Sequence, residues 1–316
     1  MKAIVYSQYG PPEVLRLQDV AQPEPKDNEV LVKIHATTVN SANWRLRKAD
    51  PFIIRLMYGI TKPKNPILGN EFAGEIVAVG KDVIRFEIGD KVFGYKDFGA
   101  HAEYLTLSEE GALVRLPEGL SYEEAAAIPN GGFTALHFLR KADIKPGKRV
   151  LIYGASGSVG TYAVQIAKYF GAVVTAVCSG RNTEMVSALG ADRVIDYTRE
   201  NYWEEGTQFD VVMDAVGKTS FSHAKKSLVK GGTYITVAFV SSLFLEQIKE
   251  NIMGDKKIIM GASTEEQQDL VFLKELVEIG RLRPVIDKQY PLAETKAAHA
   301  YAESGHKRGN LVIQVA

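Results

Sequence analysis

The sequence of 316 residues is short of several things. It holds a single cysteine, Cys178. No disulfide can form within the chain, and a thiol in so apolar a stretch reads as a buried structural group. Charge of one sign is also missing, since 38 Lys and Arg stand against 38 Asp and Glu. Such a balance argues against nucleic acid or an anionic membrane as the main partner. No apolar run reaches the ~18 residues of a membrane-spanning helix. The opening MKAIVYSQYG lacks the long apolar segment of a secretory signal and reads as a strand. Internal repeats and low-complexity segments are absent as well. Together these absences describe a soluble, cytoplasmic protein whose partner is a small molecule.

What the chain does have is concentrated between Lys148 and Cys178. Arg149–Tyr153 is a short apolar run of the kind a buried parallel strand shows. The turn Gly154-Ala155-Ser156-Gly157-Ser158-Val159-Gly160 follows. After it, apolar residues at Val159, Ala163, Ile166, Ala167 and Phe170 fall on one helical face. Gly171 then offers a C-terminal cap, and Val173–Cys178 is β-branched and apolar again. Strand, glycine turn, helix and strand in that order form a dinucleotide-binding βαβ unit. Gly157 lets a pyrophosphate approach the main chain, and Gly160 lets the helix lie close to its strand. The helix N-terminus supplies N–H groups and partial positive charge. The pattern departs from G-x-G-x-x-G at its first position, which is Ala155.

The flanking regions differ in period. From Lys2 to Leu116 the chain reads as many short strands punctuated by Gly, Pro, Asn and Asp, which points to a small β-barrel or sandwich. Ser121-Tyr122-Glu123-Glu124 is a capping box. From there helices alternate with strands through Ile279, with Pro129-Asn130-Gly131-Gly132 read as a break and Gly231-Gly232 as a turn. Alternation of this kind means a doubly wound parallel sheet. The last segments, Gln289–Leu292 and Gly309–Val315, regain β character and are expected to complete the first domain. The expected division is therefore 1–120 with 285–316 for one domain and 121–284 for the nucleotide-binding domain.

With these residues in view the chain resembles the medium-chain dehydrogenase/reductase superfamily, in its zinc-independent quinone oxidoreductase-like branch. The likeness is carried by Gly69-Asn70-Glu71-Phe72-Ala73-Gly74, Val79-Gly80, Gly89-Asp90-Lys91-Val92 and Phe133-Thr134-Ala135. Further support comes from Lys145-Pro146-Gly147 through Gly160, Leu189-Gly190-Ala191-Asp192 and Asp214-Ala215-Val216-Gly217. The resemblance implies an α/β protein made of a GroES-like β-barrel domain and a Rossmann domain, with a substrate cleft between them. Asn40 and Tyr58 are, by resemblance, the nearest candidates to line that cleft, Asn40 as an amide donor and Tyr58 as a proton donor. Asn130 and Thr134 correspond to positions near the nicotinamide. Val216, Gly217, Ala238, Phe239 and Val240 fall at the ends of later strands, where such sheets bind ligands, and Asn310 matches a position close to the cofactor.

The zinc-dependent relatives in this superfamily need Cys and His ligands. Here the region of Asn40 has no cysteine, Asn70 stands where a histidine would, and the six histidines are scattered. They are expected to be satisfied or solvent-facing, and no metal is expected. Without a Lewis acid the favoured acceptors are those that spread developing charge themselves, quinones or α,β-unsaturated carbonyl compounds. For the cofactor, the point about 20 residues past the glycines reads Cys178-Ser179-Gly180-Arg181-Asn182, without the acid that holds an NAD ribose. Ser179 and Arg181 can donate to a 2′-phosphate, and Tyr197 matches a family tyrosine near it, so NADPH is expected. Gly154, Ser156, Gly157, Ser158, Val159, Gly160 and Asn182 are also expected to bind the cofactor. Two other readings stay open: an enoyl-thioester reductase, and an NADPH-binding sensor or structural protein with little turnover. A homodimer joined along an apolar edge strand near Lys257–Met260 is also expected.

Overall fold

The structure is a computed structural model that describes residues 1–204, 206–238 and 243–315. In chain order the first elements are β1 (Lys2–Val5), β2 (Arg16–Asp19), β3 (Glu29–Val39), α1 (Ser41–Lys48), α2 (Ile53–Tyr58), β4 (Glu71–Val79), β5 (Lys91–Tyr95), β6 (Tyr104–Ser108), β7 (Leu113–Arg115), α3 (Tyr122–Ala126) and α4 (Pro129–Lys141). Then come β8 (Arg149–Tyr153), α5 (Ser158–Tyr169), β9 (Val173–Cys178), α6 (Thr183–Ala188), β10 (Arg193–Asp196), β11 (Phe209–Asp214), α7 (Phe221–Ser227), β12 (Leu228–Thr236), α8 (Leu243–Met253) and β13 (Lys257–Met260). The last are α9 (Gln267–Glu278), β14 (Ile286–Pro291), α10 (Thr295–Glu303) and β15 (Asn310–Gln314).

These elements form two compact units, one of Met1–Asn130, Glu265–Glu278 and Pro284–Ala316, the other of Gly131–Thr264 and Ile279–Arg283. Relative to the division expected from sequence, α3 and α9 go with the first unit. Side-chain bonding explains α9, whose Gln267 donates to the carbonyls of Glu109 and Leu113.

In the first unit β3 is the spine. Its alternation is real, with Val30, Val32 and Ile34 fully buried on one face. One edge of β3 pairs with β4 along most of its length. The other edge is shared, β6 pairing with Glu29–Lys33 and β15 with Ala36–Val39, all antiparallel. Two register shifts against β4 bend the strand. The C-terminal strand β15 is thus built into the first sheet. In the second unit six parallel strands run in the order β10-β9-β8-β11-β12-β13. The order reverses between β8 and β11, so a crevice opens at the carboxyl ends of those two strands.

Local expectations fail in four places. Asn130-Gly131-Gly132 is not a break, because α4 runs straight through it. A Cβ on Gly131 would lie 2.6 Å from Ser158 Oγ and 2.7 Å from Tyr162 Cδ2, so glycine here serves helix packing. Likewise β12 continues through Gly231-Gly232, Gly231 taking a φ of +76°. Neither α2 nor α10 is legible: α2 buries none of its side chains, and α10 buries small residues, Ala298 and Ala302, that leave a faint pattern.

The fourth concerns histidine. His101 and His299 are fully buried with their rings 5.5 Å apart, edge to face. His101 Nε2 donates to the Thr38 carbonyl at 2.8 Å; among the described residues its Nδ1 has no partner, and neither nitrogen of His299 has one. Arg47, also buried, is held by the Gly10 carbonyl and Glu303 but leaves Nη1 unpartnered. Burial lowers His101 to about 4 and His299 well below its ordinary value. Both rings are neutral in the fold and protonate more readily when unfolded. Their contribution to stability is therefore fully present above pH 6.5 and is lost as pH falls toward 4. Urea unfolding from pH 7.5 to 5 is expected to show a loss that is shallower in a His101→Gln/His299→Gln variant, by up to about 1.4 kcal/mol per pH unit for each histidine. Equal slopes would remove the pair from the account.

Candidate functional site

The turn after β8 is shaped by backbone contact. Gly154 takes a φ of +78°, which glycine adopts without strain. Its N–H and that of Ala155 both donate to the Val177 carbonyl at 3.0 Å, tying the turn to the end of β9. A Cβ on Gly160 would meet the Gly154 carbonyl oxygen at 2.2 Å, so α5 lies against the turn as closely as a main chain allows. Gly157 is different. Its φ of −81° suits any residue, and the nearest atom to an added Cβ is 3.5 Å away. Neither conformation nor packing within the protein demands glycine there. Gly157 is also the N-cap of the twelve-residue α5 and offers no side chain to close its first turn. A helix end of this kind attracts an anion, and the open space over Gly157 admits one to the main chain.

Around the turn lie most of the residues chosen from sequence. Ser179 follows β9, and exposed Arg181 stands in the short 3-10 turn Gly180–Asn182. Asn182 is buried and donates to Ser156 Oγ and Ser179 Oγ, each at 3.1 Å. Half-exposed Tyr197 follows β10, its ring 6.2 Å from that of Tyr153. After β11 the Asp214 carboxylate accepts the N–H groups of Val216, Gly217 and Thr219, fixing the loop whose Val216 side chain leans on Gly154. Ala238 follows β12, whereas Phe239 and Val240 lie outside the described residues. No carboxylate ends β9; the next acid, Glu184, is exposed on α6. Val159 lies half-buried in the first turn of α5 beside buried Ser158, and Thr134 is half-buried on α4. Asn130 and Asn310 belong to the other unit, where Asn310 donates through its main chain and side chain to the Val285 carbonyl.

Asn40 sits in a buried cluster whose geometry corrects its expected role. Its Oδ1 caps α1, accepting from Ala42 and Asn43 N–H. Its two amide hydrogens go to Asn70 Oδ1 at 2.8 Å and Glu71 Oε2 at 3.0 Å. Every polar position of Asn40 is spent inside the protein, which leaves no amide hydrogen for a substrate. Glu71, which sequence reasoning passed over, is the centre: it accepts from Thr38, Asn40 and the Asn130 N–H. Burial nevertheless raises its carboxyl to about 7, and burial lowers neighbouring Lys307 to about 8. The only signal in the sequence was an acid inside an apolar strand. Tyr58 ends α2 with its ring edge-on to Phe98 at 5.4 Å, a packing contact.

These residues do not suit a catalytic zinc. Among the described residues no three His, Cys, Asp or Glu side chains converge. Asn40 donates to Asn70 Oδ1 and Asn70 in turn to the Tyr95 hydroxyl, and burial pushes the Cys178 thiol up to about 11, against the thiolate a metal requires.

Residues 26–118 match the alcohol dehydrogenase GroES-like domain family, and residues 189–313 the zinc-binding dehydrogenase family. The chain is 34% identical to the chloroplast envelope quinone oxidoreductase homolog of Arabidopsis thaliana, across 99% of this chain and 98% of that protein. It is 32% identical to the chloroplastic NADPH-dependent alkenal/one oxidoreductase of the same plant, across 99% of this chain and 79% of that one. The solved quinone oxidoreductase from Coxiella burnetii superposes with a TM-score of 0.90 at 33% identity, across 100% of this chain and 99% of that chain.

The amide cluster makes a stability prediction. Asn40→Ala removes a helix cap and a donor to two buried acceptors, and is expected to cost ~2–4 kcal/mol in urea unfolding. Tyr58→Phe keeps its ring contact and is expected to cost under ~0.5 kcal/mol. A fully stable Asn40→Ala protein would mean the cluster does not hold α1.

Proposed function

Because the chain belongs to the quinone oxidoreductase-like branch of the medium-chain dehydrogenase/reductase superfamily, we propose that it reduces quinones or α,β-unsaturated carbonyl compounds with NADPH and without a metal. The observation that carries this reading is Gly157, a glycine that neither strain nor a tight contact demands and that leaves the main chain open at the N-terminus of α5. A pyrophosphate there is met by main-chain N–H groups and the helix dipole. Ser179, Arg181 and Tyr197 then face the adenosine ribose. Donors and a guanidinium, with no carboxylate at the end of β9, favour a 2′-phosphate over a free diol, in keeping with the NADPH-dependent relative.

Bound NADPH supplies a hydride. The protein's part is to hold the cofactor at the carboxyl edge of its parallel sheet and to receive an acceptor that disperses the added charge itself. A quinone or enone does so without a Lewis acid. With the Asn40 amide committed internally, the proton that completes reduction is left to Tyr58 or to water. Pairing of edge strand β13 with a second copy goes with this reading as a homodimer, which light scattering tests.

Two substitutions separate binding from folding. Gly157→Ala is expected to fold and to melt close to the wild-type temperature, the entropy lost from the unfolded chain offsetting a poorer helix cap, while NADPH affinity falls at least ~10-fold. Gly160→Ala is expected to lose stability as well. Arg181→Glu is expected to cut the kcat/KM preference for NADPH over NADH by ~10-fold or more, measured with quinone and enone panels. Wild-type protein that uses both cofactors equally would refute the NADPH assignment. Tight NADPH binding with no acceptor turned over would refute the reductase.

A further inference from the structure

The hydrogen-bond directions around Asn182 carry one step further, and that step rests on the NADPH reading above. Asn182 is 4% exposed and makes two side-chain hydrogen bonds, both through Nδ2, to Ser156 Oγ and Ser179 Oγ at 3.1 Å each. Its Oδ1 is buried without a partner among the described residues. The reverse orientation of the amide would leave two N–H donors buried and unpaired in place of one oxygen, the costlier arrangement. With an N–H arriving at each serine oxygen, each hydroxyl has its own proton left to give, and no protein acceptor takes it among the described residues. Ser156 belongs to the glycine turn and Ser179 to the end of β9, both half-buried. The nearby carboxylate, Asp196, is already engaged by the N–H and hydroxyl of Thr198 and lies 3.6 Å from Arg199.

We infer that Asn182 is a specificity-determining residue that acts by positioning. It turns two serine hydroxyls into outward donors, which suits the acceptor-only oxygens of a 2′-phosphate. An aspartate at this position would reverse the pattern. The serine protons would turn inward to the carboxylate, lone pairs and a negative charge would face the ligand, and the phosphate would be repelled while a diol would not.

Fragment binding tests this without turnover, by calorimetric titration of 2′,5′-ADP and 5′-AMP into the full-length chain. Wild type is expected to prefer 2′,5′-ADP. Asn182→Asp is expected to cut the ratio of affinities by about 10-fold or more, and Asn182→Ala by about 3- to 10-fold, with 5′-AMP affinity changing less than 2′,5′-ADP affinity in both. Ser179→Ala is expected to lower the ratio like Asn182→Ala, and combining the two should add little, because both remove the same oriented donor. If the Asn182 variants do not fold, the Ser156→Ala and Ser179→Ala proteins decide, since each deletes one donor and leaves Asn182 in place. Variants that all keep the wild-type ratio within about twofold would overturn the role of Asn182 and leave the NADPH reading standing. A wild type with no preference for 2′,5′-ADP would overturn both.

Discussion

The approach of one main chain to another at the β8–α5 turn governs how the second unit can work. The Gly160 position has no room for a side chain beside the Gly154 carbonyl, and that contact sets the angle at which α5 leaves the sheet. Once α5 is seated there, its N-terminus is aimed across the crevice at the carboxyl ends of β8 and β11, where the strand order reverses. The three glycines of the turn therefore do three separate jobs. Gly154 supplies a backbone conformation, Gly160 a helix-to-turn contact, and Gly157 an opening. Only the last concerns a ligand, and only the measured space around each Cβ tells them apart.

A different constraint organises the first unit. A buried carboxylate must be surrounded by donors, and Glu71 draws them from three elements: Thr38 on β3, Asn40 at the start of α1 and the Asn130 main chain in the first turn of α4. Asn40 is the hinge of this arrangement because its oxygen caps α1 while its nitrogen serves Asn70 and Glu71. The side chain with the best claim to touch a substrate, on resemblance alone, is the one most completely occupied at home. The same logic of saturation works in reverse at Asn182, where the side chain's donors are consumed and the donors of its neighbours are released.

Much of the architecture could be read directly. The β3 strand, the capping box at Ser121, the helix α5 and the β-branched β9 all depend on local periodicity, and all formed, although α5 is buried on nearly every side, Tyr162, Val164 and Gln165 included, rather than on one apolar face. Elements without such a signal did not announce themselves. α2 turns Ile53, Leu56 and Met57 to solvent around its short length, and α10 buries two alanines beside Thr295 and His299 rather than large apolar side chains. Gly131 and Gly231 read as punctuation because glycine most often is; each is instead absorbed by an element whose neighbours decide the matter, Ser158 and Tyr162 in the first case.

The sequence by itself determined the fold class, the family, the position of the phosphate-binding turn and the absence of an acid after β9. The turn and the missing acid are local, carried by residue type and spacing along one stretch of chain, while the fold class and the family resemblance rest on motifs spread from Gly69 to Gly217. Tertiary structure alone decided which polar atoms are already satisfied. Asn40 to Asn70, Asn182 to Ser156 and His101 to His299 join residues 30, 26 and nearly 200 positions apart. Whether a side chain has a hydrogen left to give a ligand depends on those distant partners, and no spacing rule along the chain contains them.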